Sequence, residues 1–180
     1  MIGTLFSMKH CARTAALLVA LGACAKQADD PRIQLTDVGF ALHLPPAMQQ
    51  ALDSLAPGFR AVRTTSYRSD VSQAAAAGSG AMPALFAAIG DFDRDGSVDA
   101  VVEGTAPGDS ALRVIAILNG SKPTAVEVAR FDVYDADAVG TYLSNPTAGH
   151  GGAFEVVSYP DSSMLFRYAN GSFTGAKFGN

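Results

Sequence analysis

Leu85-Phe86-Ala87-Ala88-Ile89-Gly90-Asp91-Phe92-Asp93-Arg94-Asp95-Gly96-Ser97-Val98-Asp99-Ala100-Val101-Val102-Glu103 carries the strongest structural signal in the chain. At its centre, carboxylates at Asp91, Asp93, Asp95 and Asp99 take positions one, three, five and nine of a loop whose sixth residue is Gly96. Two such charges about 4 Å apart repel by about 4 kcal/mol at a dielectric typical of a protein surface. The crowding makes sense around a hard cation. Calcium accepts roughly six to eight oxygens, taken from alternate loop residues, with glycine at the sharp sixth position and a backbone carbonyl at the seventh. That seventh residue is Ser97. A loop between helices would supply a bidentate Glu at position twelve, but Val102 stands there and Glu103 comes one residue late. The β-branched run Ala100-Val101-Val102 leaving the loop and the apolar run Leu85 to Ile89 entering it both read as buried strands. The loop therefore joins strands, and the domain is built around a sheet.

From Gly90 to Val102 the segment resembles the calcium-binding loop of FG-GAP/VCBS repeats, whose pattern is close to Gly-Asp-Phe-Asp-x-Asp-Gly-x-x-Asp followed by apolar residues. The resemblance implies calcium held by Asp91, Asp93, Asp95 and Asp99 and by the carbonyl of Ser97. It covers about thirteen residues and does not extend to a propeller, which needs several such blades around an axis. No second copy occurs in the sequence. The stretch Asp132-Val133-Tyr134-Asp135-Ala136-Asp137 has spaced acids but no turn glycine and reads as a solvated loop. The competing reading of the main loop is an acidic hairpin turn without metal.

The N-terminus carries an export signal. Lys9, His10 and Arg13 precede Ala15-Ala16-Leu17-Leu18-Val19-Ala20, an apolar run too short to span a bilayer, and Leu21-Gly22-Ala23-Cys24 resembles a bacterial lipobox. That resemblance implies a signal peptide over residues 1–23 and acylation of Cys24, giving a lipoprotein anchored in the cell envelope. Ala25 after the cysteine implies the outer membrane, facing the periplasm, if the bacterium is Gram-negative. Met8 heads a conventional charged region, so residues 1–7 are expected to lie upstream of the true start. Residues 24–32 are polar and read as a tether, and residues 33–180 are of a size for one globular domain.

Of the two cysteines, Cys11 falls in the signal and Cys24 at the anchor, so the domain is expected to have no disulfide. Loss of Lys9 and Arg13 leaves 11 basic residues against 17 acids, a formal charge of −6. No Lys/Arg cluster offsets this, which argues against nucleic acid and against an electrostatic grip on anionic lipid. The expected membrane contact is the lipid bilayer through the acylated cysteine.

Within the domain, Ile33 to Leu35 and Phe40 to Leu44 alternate as strands. Pro45-Pro46 followed by Met48, Ala51, Leu52 and Leu55 predicts a core-facing helix ended by Pro57-Gly58. Phe59 to Tyr67 reads as extended, and Ala74 to Gly80 as either a short helical turn or a flexible connection, the connection being preferred. Beyond Pro83 come β-like runs at Leu85 to Ile89, Ala100 to Glu103, Leu112 to Leu118, Ala125 to Val133, Phe154 to Tyr159, Met164 to Tyr168 and Phe173 to Phe178. Asn119-Gly120 and Asn170-Gly171 favour tight hairpins, and Leu112 to Leu118, apolar on both faces, should be central. The fold class is α+β, mainly β: a meandering antiparallel sheet with one packed helix, the alternative being a small all-β barrel or sandwich.

Catalysis finds little support. His43 reads as a surface residue of a strand, and His150, in Gly149-His150-Gly151-Gly152, as a loop residue. No nucleophile elbow, helical His pair or phosphate loop occurs. The aromatic residues read as core, and the absence of tryptophan weakens a sugar-stacking platform. The functional expectation is a non-catalytic, lipid-anchored envelope protein with one structural calcium loop. The alternative is a recognition or inhibitor module that binds an envelope protein, a secreted hydrolase or a glycan through loops such as Pro146 to Gly152.

Overall fold

The structure, a computed structural model, describes residues 30–79, 84–132, 138–145 and 152–178. Half of it is strand and 17% helix, all sheets are antiparallel and none closes into a barrel, so the fold is α+β, mainly β.

The chain opens with a hairpin, β1 (Arg32–Thr36) and β2 (Gly39–His43). Pro46 then starts α1 (Pro46–Leu55), because a proline at the first turn sacrifices an N–H that has no partner there anyway. Met48 and Leu52, one turn apart, bury the same face. After β3 (Arg60–Ala61) and a 3₁₀ turn (Thr64–Ser66) comes α2 (Ser69–Ser79). Two expectations need correcting here. The segment Phe59 to Tyr67 is extended over only two strand residues before it turns, and the alanines from Ala74 continue a helix that begins at Ser69. Ala is the best intrinsic helix former, and Val71 with Ala75, spaced four apart, give α2 a narrow buried face.

The central sheet has β3 and β4 (Ala87–Gly90) end to end along one edge of β5 (Asp99–Thr105), followed by β6 (Ala111–Leu118) and β7 (Thr124–Asp132). β6 lies between β5 and β7 and is buried on both faces, as its apolar run predicts. A bulge on β7 at Val128 shifts the register between Val114 and Ile115. The chain then forms a four-stranded meander, β8 (Thr141–Ser144), β9 (Ala153–Ser158), β10 (Ser162–Ala169) and β11 (Ser172–Phe178). Its last turn is Asn170-Gly171, both residues at positive φ, as the dipeptide predicts.

The layers follow from the two-sided central sheet. One face packs Ala100, Val102, Ile115 and Ile117 against Met48 and Leu52 of α1 and Val71 of α2. The other packs Val101, Val114 and Ala116 against Leu143, Phe154, Val156 and Phe166 of the meander. The order is helices, central sheet, second sheet. Residues 1–29, with the expected signal and Cys24, lie outside the described residues, as do His150, residues 133–137 of the second acidic stretch, and 146–151 of the loop expected to serve recognition.

Candidate metal centre

The loop between β4 and β5 is fastened at both ends. Gly90 pairs with Asp99 across the two strands, and Phe92, at the loop's second position, is buried in the second core with its ring edge-on to Phe154 at 5.4 Å. Phe92 is therefore an apolar pin, and the acids on either side of it are left facing the loop's own centre. Gly96 sits at φ +87°, a backbone angle glycine reaches without a Cβ penalty.

The carboxylates divide the work. Asp99 is fully buried: its Oδ2 accepts the N–H groups of Phe92 (2.8 Å) and Asp93 (3.3 Å), and its Oδ1 accepts that of Asn119 (2.8 Å) at the start of the β6–β7 turn. Asp91 Oδ2 accepts the N–H of Gly96, Asp93 Oδ1 that of Asp95, and Asp95 Oδ1 that of Ser97. These bonds curl the backbone around the acids. Asp91, Asp93 and Asp99 each offer an oxygen, all within 4.8 Å of one another. Of the residues expected to bind metal, these three come together. Asp95 stands outside the cluster with one oxygen committed to Ser97, whose N–H it holds.

Burial pushes the Asp99 carboxyl up to about 6 even though three N–H groups pull it down. Asp93 is raised as well, first by burial and then by the charges of Asp95 and Asp91. One further atom fits a cation: Asp91 Oδ1 is buried with no hydrogen-bond partner among the described residues. A buried acceptor left unpaired is costly, and a hard cation satisfies it. The donor set is all oxygen, which suits calcium better than a softer metal.

A second polar cluster was not legible in the sequence. Glu103, four residues beyond Asp99 on β5, is fully buried and accepts hydrogen bonds from the Tyr67 hydroxyl and from Thr141 Oγ1 (3.3 Å). Thr141 also lines a cavity of about 570 Å³ between β7 and β8, bordered by Arg68, Arg130, Asp132, Tyr159 and Asp161. His43 is exposed on β2, in keeping with a surface role.

No family model, curated protein or solved structure matches this chain.

Proposed function

We propose that this is a lipid-anchored envelope protein whose domain is non-catalytic and uses one calcium ion to hold the β4–β5 loop. The observation that carries the metal reading is the convergence of Asp91, Asp93 and Asp99 on one point, with a buried Asp91 oxygen left without a partner. Asp91, Asp93 and Asp99 would hold the ion, and the resemblance of the loop adds Asp95 and the Ser97 carbonyl. Bound calcium would neutralise acids that otherwise repel one another. It would thereby favour the folded loop, by about 2.7 kcal/mol at a hundredfold excess over the dissociation constant. The anchor reading rests on the lipobox resemblance around Cys24.

The test is a calorimetric calcium titration of the soluble domain from Ala25 onward after chelator treatment, with melting curves in parallel. One-to-one binding in the micromolar to millimolar range with a raised Tm is expected. Absence of heat and of a Tm shift at millimolar calcium reduces the loop to an acidic turn.

A second reading, recognition of a partner, gains from the cavity beside Thr141, which is lined by Arg68 and Arg130, paired with Asp70 and with Glu127 and Asp109, and by Asp132, Asp161, Leu112 and Val139. Pull-down from envelope extract with the domain and with an Arg130→Ala variant tests it: a partner captured only by the unaltered domain supports recognition there.

A further inference from the structure

Four large hydrophobic residues are exposed among the described residues, and the two most exposed, Leu35 at 75% and Val38 at 87%, lie three residues apart at the tip of one hairpin. The geometry explains why. Ile33 pairs with Leu42 and Leu35 with Phe40, so all four share one face of the β1–β2 ribbon. Ile33, Leu42 and Phe40 pack against the first core, whereas Leu35 overhangs it. Val38 follows in the turn, which is closed by the Thr36 hydroxyl donating to the Gly39 carbonyl at 2.7 Å. A single exposed apolar side chain means nothing, but an apolar face that continues past the core to an uncovered tip is an interaction surface.

We propose that the Leu35–Val38 tip dips into the interfacial layer of the bilayer to which Cys24 is anchored, which fixes the orientation of the domain on the membrane; this rests on the lipid-anchor reading. Three observations favour lipid over other occupants. The hairpin is the first element among the described residues, and six residues lie between Cys24 and Pro31, a reach over seven Cα steps of no more than about 25 Å even when fully extended. The domain's formal charge of −6 gives it no electrostatic attraction to lipid, so an orienting contact must be apolar. The turn's only charged residue, Asp37, is exposed beside Val38 and remains among the headgroups, while Arg32 and His43 lie at the opposite end of the ribbon. Two side chains alone would not hold a soluble domain on a membrane. The tether raises their effective concentration at the surface and makes the contact intramolecular in effect.

The chain has no tryptophan, so a Val38→Trp variant of the full-length protein, isolated from a bacterial membrane and placed in phosphatidylcholine vesicles, reports on the tip alone. Mass spectrometry first establishes acylation. With acyl chains present, the expected result is a blue-shifted emission that loses most of its intensity when the lipids are brominated near the headgroup end of their chains. A Leu35→Ser change in the same protein should reduce that loss. An acylated protein with unshifted, unquenched emission overturns the proposal and leaves the anchor standing. A blue shift that grows with concentration in the non-acylated Cys24→Ser form, without lipid, means that a second copy covers the tip, and likewise overturns it. A mass without acyl chains removes the anchor reading, and this inference with it.

Discussion

Asp99 and Asp91 belong to the same loop but should respond differently to removal. Asp99→Ala leaves the N–H groups of Phe92, Asp93 and Asn119 without their acceptor, and each buried orphan costs about 1–3 kcal/mol. The variant should melt well below the unaltered domain even in chelator. Asp91→Ala removes a buried oxygen that has no partner and, with Oδ2, the acceptor of one exposed N–H, that of Gly96, so its Tm in chelator should fall much less than that of Asp99→Ala while the rise with calcium disappears. Melting curves of both variants with and without calcium separate the acid that also ties down the backbone from the one that acts chiefly on the ion. The sequence marked all four aspartates equally, because spacing shows which carboxylates crowd a loop but not which of them the loop's own N–H groups will occupy. Glu103 was less legible still, since its hydroxyl partners lie 36 and 38 residues away. Burial pushes its carboxyl from 4.5 up to about 8, against the pull of the Tyr67 and Thr141 hydroxyls. The unfolded chain gives up this proton near 4.5 and the folded domain keeps it to about 8. Between those values the folded state binds more protons, so this group's contribution to stability falls as pH rises, by at most about 1.4 kcal/mol per unit. Glu103→Gln keeps the shape without the charge. Denaturant unfolding at pH 5 and pH 8 should show the unaltered domain losing ground to the variant across that interval.

Among the elements, those with a strong period or specific turn chemistry were legible. They include α1 behind its prolines, the two-sided β6, and the β10–β11 hairpin with its Asn170-Gly171 turn. The helix α2 was not, because alanines mark no face: Ala75 is buried, but nothing in its type distinguishes it from the alanines beside it. The strand β8 was missed since its inward residues are Thr141 and Leu143, a four-residue run with one polar side chain turned to the core. The short β3 is governed by its neighbour. A Cβ at Gly104 would lie 2.2 Å from the Arg60 carbonyl oxygen and 2.6 Å from the Phe59 ring, so β3 can approach β5 only over a glycine. Gly104→Ala should therefore displace Phe59 to Ala61 and lower stability by about 1–3 kcal/mol, the usual range for overpacking. Chemical unfolding measures this directly.

On the scale of the whole molecule, the acidic β4–β5 loop belongs to the interface between the two sheets, since Phe92 is seated against Phe154 and Phe154 in turn contacts Phe166 and Phe173. Phe154→Ala should cost about 3–5 kcal/mol as a fully buried aromatic. It should also weaken calcium binding although Phe154 lies outside the acidic cluster, and titration of the folded variant checks the coupling. The mainly-β class was readable from the succession of apolar runs, whereas the division into three layers was not, because no local pattern says which face of a two-sided strand meets helices and which meets another sheet. That shared strand has a kinetic consequence. The amides of Val114 to Leu118 are covered from above and below by separate cores, so neither the helical layer nor the meander can expose them by coming away alone. They should be the last in the molecule to exchange their hydrogens with deuterated solvent, only when the entire domain opens.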